Sequence, residues 1–421
     1  MEKMVIVGGE RLLGEITVGG SKNAALPMLC AAILAGAPCT LRGVPALRDI
    51  RTTRSLLEGV GLALSADRGD IQLDPRGLSR HEAPYEIVKT MRAGVLVLGP
   101  LVARLGRARV SLPGGCAIGS RPVDQHLKGL EKLGARIHLE HGYIQAEAPR
   151  GLTGNVVCFD MPTVGGTENV MMAAVLARGE TILENAAQEP EIVALADWLR
   201  AMGAKIAGDG SDTITITGVS ELGGAVLDLI PDRIETGTLI TAAGITKGNV
   251  LLKNVRLELL DTVVEKLRQA GLTIEPENGG VRVVGPHRPR ATDVKTRPYP
   301  GFPTDMQAQI MALLCLADGL SVLTETIFEN RFMHVQELQR MGAQITIEGR
   351  SALVKGRPML TGAPVMATDL RASASLVLAG LAAEGTTEVL RIYHLDRGYE
   401  RLDDKLNALG AKIRREQQDR P

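Results

Sequence analysis

Leu199-Arg200-Ala201-Met202-Gly203-Ala204-Lys205-Ile206 carries the plan of the whole chain: a helix end, a glycine, then a short β-like run. The phrase Leu-x-x-x-Gly, usually followed by Ala, lies in Leu56-Leu57-Glu58-Gly59-Val60-Gly61 and in Leu130-Glu131-Lys132-Leu133-Gly134-Ala135. It returns in Leu267-Arg268-Gln269-Ala270-Gly271, Leu338-Gln339-Arg340-Met341-Gly342-Ala343 and Leu406-Asn407-Ala408-Leu409-Gly410-Ala411. The marker glycines 61, 134, 203, 271, 342 and 410 stand 73, 69, 68, 71 and 68 residues apart. A second set, Gly36, Gly106, Gly179, Gly248, Gly319 and Gly385, follows small apolar runs such as Met171-Met172-Ala173-Ala174-Val175-Leu176. Its spacings are 70, 73, 69, 71 and 66. Two independent markers on one period of about 70 residues make the chain six copies of one unit.

Each unit reads alike. An Ala-rich helix, apolar nearly all round, is a buried helix. Gly ends it, as a C′ residue that tolerates the left-handed conformation. A β run such as Thr181-Ile182-Leu183 follows, then a polar loop and an amphipathic helix ending at the marker glycine. Two short strands close the unit, as in Gln344-Ile345-Thr346-Ile347. Alternating helices and strands predict mixed α/β sheets. Six such units exceed one core, so three plus three gives two domains. Met4-Val5-Ile6-Val7 precedes the first unit and can pair with the last. That predicts one domain over residues 21–229 and a discontinuous one over 1–20 and 230–421, crossing near Asp228-Leu229-Ile230-Pro231.

The 421 residues carry 48 basic and 48 acidic side chains, and zero net charge removes the attraction on which non-specific nucleic-acid binding depends. An apolar fraction of 45% excludes disorder. The longest apolar stretch, Ala24 to Ala37, contains Pro27 and falls short of the roughly 20 residues that span a bilayer. Met1 to Glu10 lacks a secretion signal's basic end and apolar run. No nucleic-acid or membrane partner is expected, and the chain is read as a monomer or weak oligomer. Cys30, Cys39, Cys116, Cys158 and Cys315 form no Cys-x-x-Cys pair and no zinc spacing, which points to reduced thiols in a cytoplasmic protein. Gly14-x4-Gly19-Gly20-Ser21-Lys22 is not a phosphate-binding Walker loop, and no metal motif occurs, so neither cofactor nor metal is expected.

Polar residues gather at two phases of the repeat. The first is the start of each buried helix: Ser21-Lys22-Asn23, Lys89 to Arg92, Thr163 to Glu168, Asp232 to Glu235, Thr304-Asp305 and Asp369 to Arg371. The second lies 11 to 14 residues before the marker glycines: Asp49, Arg121, Glu189 with Glu191, Glu258, Arg331 and Asp396-Arg397. Helix N-termini favour anions. With Lys22, Arg92, Arg121, Arg331, Arg371 and Arg397 added, the pattern points to a substrate with several anionic groups, bound where the termini converge between two domains. The competing reading pairs each Arg with a neighbouring Asp or carbonyl. The seven histidines are scattered, and only His394, beside Asp396-Arg397, is a candidate.

Several segments are specific. Gly20-Ser21-Lys22-Asn23-Ala24-Ala25, Pro113-Gly114-Gly115-Cys116-Ala117-Ile118-Gly119-Ser120-Arg121-Pro122-Val123-Asp124 and Tyr299-Pro300-Gly301-Phe302-Pro303-Thr304-Asp305 resemble the enolpyruvyl transferase family, in its UDP-N-acetylglucosamine branch. So do Glu329-Asn330-Arg331-Phe332, Asp369-Leu370-Arg371-Ala372 and His394-Leu395-Asp396-Arg397-Gly398-Tyr399, so that the resemblance spans nearly the full length. It implies a two-domain inside-out α/β barrel of six βαβαββ repeats with buried helices. It implies transfer of the enolpyruvyl group of phosphoenolpyruvate to the 3′-hydroxyl of UDP-N-acetylglucosamine through a tetrahedral intermediate. Phosphate is released, in the first committed step of bacterial peptidoglycan synthesis.

By the same resemblance Cys116 donates the proton to carbon 3 and can form an adduct with phosphoenolpyruvate, and Asp305 is the base on the sugar hydroxyl. Lys22, Arg121 and Arg397 hold phosphoenolpyruvate, and Asn23 binds the hexose. Arg92, Arg121, Pro122, Val123, Asp124 and Gln125 take the uridine and diphosphate side with Thr163, Val164, Gly165 and Ile327. Arg331, Asp369 and Arg371 complete the wall. One departure stands out: Met161 occupies a position where some members carry a diphosphate-binding Lys. Two alternatives are a relative acting on shikimate 3-phosphate, which lacks this cysteine loop, and a non-catalytic six-repeat scaffold, which has no need to retain the charged positions.

Overall fold

The computed structural model describes residues 2–88, 91–112 and 123–417, with the backbone alone for Arg92. The expected site residues Cys116, Arg121 and Pro122, and the Arg92 side chain, lie outside the described residues. The chain forms two compact units, one of residues 20–112 and 123–230, the other of residues 2–19 and 231–417.

Each unit holds three four-stranded sheets of one pattern. Glu82–Ala83 runs parallel to Arg107–Ser111, which pairs antiparallel with Tyr143–Glu147, and that strand pairs antiparallel with Arg136–Glu140. A buried helix, here Leu98–Leu105, joins the parallel pair, and the amphipathic helix Asp124–Lys132 leads to the closing hairpin. This is the βαβαββ repeat, six times over.

The helices lie inside because most of their surface is apolar, with the charged residues Arg233 and Glu235 confined to a first turn. All thirteen residues of Arg233–Ile245 and all eight of Gln307–Leu314 are buried, and Leu370–Ala382 packs against both. A helix apolar around its circumference is stable only within a core. The sheets lie outside and alternate, as Thr213–Thr217 does by burying Ile214 and Ile216. The amphipathic helices cover the remaining flank with a single stripe: Asp261–Gln269 buries only Val263, Val264 and Leu267.

Each unit is completed by strands distant in sequence. Val226–Asp228 joins the first sheet of its unit beside Cys39–Arg42, with Val226 opposite Thr40. Leu13–Thr17 lies parallel to Asn249–Lys253. Glu2–Val7 sits between Thr386–Leu390 and Lys412–Gln417, so that Met4 faces Val389 on one side and Arg415 on the other.

All six marker glycines have positive φ, from 90° to 113°. The second set is not uniform, which corrects the single reading given to it above. Gly106, Gly179, Gly319 and Gly385 are left-handed, whereas in the fourth repeat Lys247 takes φ 54° instead of Gly248. Gly248 is needed for close approach: a Cβ there would stand 2.6 Å from the Leu12 carbonyl oxygen. Among the described residues no helix is long and apolar enough to cross a membrane.

Candidate active site

In the unit of residues 2–19 and 231–417, Pro303 precedes a 3-10 turn, Thr304–Met306, that runs into the buried helix Gln307–Leu314. Asp305 stands on this turn between two guanidinium groups. Arg331 Nη2 donates to its Oδ1 at 2.8 Å, and Arg371 donates to its Oδ2 from Nη2 at 2.8 Å and Nε at 3.1 Å. The arginine side chains are only 5% and 4% exposed. Burial alone would raise the Asp305 carboxyl, but the two cations outweigh it and hold it well below the usual carboxylate range. For Arg331 and Arg371 the arrangement is that of the competing reading, each guanidinium paired with an aspartate.

Arg331 also donates from Nη1 to Thr304 Oγ1 at 2.9 Å, and Thr304 donates to Glu325 Oε2 at 2.8 Å. Ile327 N–H donates to Glu325 Oε1 at 2.8 Å. Asp369 caps the helix Leu370–Ala382, its Oδ1 accepting from the N–H of Arg371 at 2.9 Å and of Ala372 at 3.0 Å. Arg371 is thereby set on the first turn, under which Tyr399 lies with its ring 5.4 Å from the guanidinium. Arg397 ends the 3-10 turn Ile392–Arg397, half-buried. Its neighbour Asp396 is held by Arg415, at 2.8 and 3.0 Å, while the His394 ring lies against Tyr393 at 4.3 Å.

In the unit of residues 20–112 and 123–230, Ser21 caps the helix Lys22–Ala31. Lys22 Nζ meets Asp49 Oδ2 at 2.6 Å, with both side chains under a tenth exposed. Asn23 is half-buried one residue further on. Thr163 caps the helix Val164–Ala174 through the Gly166 N–H at 3.3 Å, which leaves Val164 exposed and Gly165 half-buried at its start. Val123 is the N-cap position of Asp124–Lys132. Gln125, buried, exchanges two hydrogen bonds with Asp160: its Nε2 donates to Oδ2 at 2.8 Å and its Oε1 accepts from the backbone N–H at 3.0 Å. Lys128 reaches the same Asp160 oxygen at 2.5 Å, and Asp124 accepts from Gln125 at 3.0 Å. Met161, next in the chain, is 62% exposed.

Three features escaped the sequence reading. Glu325 is one. His334 is another: buried near Arg331 and Asp369, its ring is pushed down to about 4, chiefly by burial. The third is the proton affinity of Glu168, whose carboxyl is held well above its usual range by burial and by Glu191 and Glu189. Only Glu168 carried a signal, as a carboxylate inside an otherwise apolar helix.

Two three-sheet units with enclosed helices and buried arginine–carboxylate chemistry at the helix starts define the enolpyruvyl transferase class. The enolpyruvyl transferase NikO from Streptomyces tendae superposes with a TM-score of 0.90 at 25% identity, covering 99% of each chain. EPSP synthase from Acinetobacter baumannii does so at 0.78 and 20% identity, over 99% of this chain and 100% of that one. A family model described as EPSP synthase (3-phosphoshikimate 1-carboxyvinyltransferase) matches residues 6–406. Proteins named UDP-N-acetylglucosamine 1-carboxyvinyltransferase are 61% identical in Trichlorobacter lovleyi and in Geobacter metallireducens, over 99% of each chain. The chain belongs to the UDP-N-acetylglucosamine 1-carboxyvinyltransferase family, within the enolpyruvyl transferases.

Proposed function

We propose that this chain transfers the enolpyruvyl group of phosphoenolpyruvate to the 3′-hydroxyl of UDP-N-acetylglucosamine and releases phosphate. The observation that carries this reading is Asp305, an ionised carboxylate held on a helix start between the Arg331 and Arg371 forks. The full-length likeness to relatives of that name selects the acceptor over shikimate 3-phosphate. It also selects a catalyst over a scaffold.

The chemistry follows from the residue types. The hydroxyl oxygen attacks carbon 2 of phosphoenolpyruvate as its proton passes to Asp305, and the double-bond electron pair takes a proton at carbon 3 from the Cys116 thiol. The resulting tetrahedral adduct then gives a carbon 3 proton back to the Cys116 thiolate as the carbon 2–phosphate oxygen bond breaks, the electron pair reforming the double bond and phosphate leaving. A carboxylate clasped by two guanidinium groups is a weak base. An anionic substrate reaching Arg331 and Arg371 competes for those forks and returns basicity to Asp305 when the hydroxyl is in place. Lys22, Arg121 and Arg397 balance the phosphate and carboxylate charge throughout. Asn23 takes the hexose. Arg92, Pro122 to Gln125, Ile327 and the capped start at Thr163 to Gly165 take the nucleotide side, where backbone N–H groups serve in place of a Lys at Met161. Asp369 aims Arg371.

The reaction belongs to peptidoglycan synthesis in the bacterial cytoplasm, in keeping with Cys30, Cys39, Cys158 and Cys315 all being free thiols. Mass spectrometry of the product tests the reading. A nucleotide sugar heavier by one enolpyruvyl group is expected with wild type and is expected to vanish in Cys116→Ser. Unmodified nucleotide sugar with wild type would overturn it.

A further inference from the structure

Glu325 follows the strand Leu320–Thr324 and is 1% exposed. Its backbone N–H is pinned to the Arg350 carbonyl at 2.8 Å. Its carboxylate meets four donors. Oε1 accepts from Thr296 Oγ1 at 2.8 Å, from Ile327 N–H at 2.8 Å and from Phe328 N–H at 3.2 Å. Oε2 accepts from Thr304 Oγ1 at 2.8 Å. A buried carboxylate is tolerated only when it is satisfied in this way.

We propose that Glu325 is a positioning residue that fixes two walls of the active site with one carboxylate. The first wall is the base. Thr304 has a single hydroxyl proton, and donating it to Glu325 leaves only lone pairs for Arg331 Nη1, at 2.9 Å. Arg331 is then turned so that Nη2 meets Asp305 Oδ1 at 2.8 Å. The order of donors, from Arg331 to Thr304 to Glu325 and from Arg331 to Asp305, admits no reversal while Glu325 is a carboxylate. The second wall is the backbone at Ile327 and Phe328, which the other carboxylate oxygen, Oε1, holds in a tight turn. The base and the Ile327 backbone are thereby set by one side chain that is itself buried. This deepens the transferase reading and rests on its assignment of Asp305 and Ile327.

Glu325→Gln keeps the volume and breaks the donor order. An amide nitrogen facing Thr304 is a second donor to a hydroxyl that already accepts from Arg331, so the Thr304 proton loses its acceptor. The test measures kcat and both KM values in Glu325→Gln and Glu325→Asp, with hydrogen–deuterium exchange over residues 326–331 as a readout independent of turnover. In Glu325→Gln we expect kcat to fall about tenfold or more, the UDP-N-acetylglucosamine KM to rise several-fold and the phosphoenolpyruvate KM to stay within twofold. Exchange at Ile327 and Phe328 is expected to speed up about tenfold, with Tm lowered by no more than about 10 °C. Glu325→Asp, which keeps the carboxylate, is expected to recover part of kcat. Exchange and kinetics both within twofold of wild type would overturn the proposal, as would equal losses toward both substrates that track a fall in folded fraction. Wild type inactive with UDP-N-acetylglucosamine would count against the transferase reading alone, because the exchange readout judges Glu325 by itself.

Discussion

Arg371 grips one oxygen of Asp305 with two nitrogens, Nη2 at 2.8 Å and Nε at 3.1 Å, so the plane of the carboxylate is set by a guanidinium fork. Arg331 takes the other oxygen. Asp305→Ala removes both the proposed base and the carboxylate that Arg331 and Arg371 share. Turnover is expected to fall by about 10² to 10⁴, the usual worth of a general base. Stability is expected to fall by roughly 3 kcal/mol, the lower end for stripping one partner from a buried pair, since the Asp305 side chain is 27% exposed. Phosphate release and urea melts measure the two. Wild-type rates in this variant would remove Asp305 from the mechanism.

Lys22 and Asp49 form a second buried pair, 2.6 Å apart. Lys22→Met leaves Asp49 as a buried anion, so it is expected to lose stability as well as turnover. The double variant Lys22→Met with Asp49→Leu is expected to regain stability without regaining turnover, because the pair's desolvation cost disappears while the ammonium proposed to hold phosphoenolpyruvate stays absent. Thermal melts and phosphate release in both variants check this. Restored turnover in the double variant would show that Lys22 acts only through Asp49.

Glu168 makes stability depend on pH. Its folded carboxyl binds a proton more tightly than an unfolded Glu near 4.3, because burial and the neighbouring Glu191 and Glu189 oppose its charge. Between those two values the folded state holds a proton that the unfolded state lacks, so stability falls as pH rises. Glu168→Gln is expected to flatten that slope. Its Tm should match wild type near pH 4 and exceed it by about 2–4 °C at pH 8 for each kcal/mol removed. An unchanged slope would show that Glu168 is charged in the folded protein.

The thiols differ sharply. Burial pushes Cys315 up to about 12 and raises Cys30 beyond that, while Cys158 is exposed. At neutral pH a maleimide is expected to label Cys158, and Cys116 where the thiolate is accessible, and to spare Cys30 and Cys315 in the folded protein. Peptide mapping reads the pattern. Rapid labelling of Cys315 would contradict the buried helix Gln307–Leu314 that it follows.

Much of the fold was legible because it is periodic. The Gly203-Ala204 phrase fixed repeat length, helix end and strand start together, and Ser21, Thr163 and Asp369 marked the starts of their helices, where the structure shows them to be caps. The uneven glycines were not legible: whether Gly248 serves φ or close packing depends on Leu12, far away in the chain. Of the candidate site, the residues at a repeated phase were legible as a group, and the structure brings Asp305 and Arg331 of that group together. Glu325 sits at neither phase, and its partners Thr304 and Thr296 lie 21 and 29 residues away in sequence. Hydrogen bonds of that kind depend on how strand ends meet helix starts, which no local pattern records. For the same reason Lys22 read as a bare cation when it is half of a buried pair.

The central claim is the choice of acceptor, and phosphate release from phosphoenolpyruvate tests it most directly, with UDP-N-acetylglucosamine and shikimate 3-phosphate supplied separately. Release with UDP-N-acetylglucosamine and none with shikimate 3-phosphate is the predicted result. Release with shikimate 3-phosphate alone, or with neither acceptor, would contradict the account.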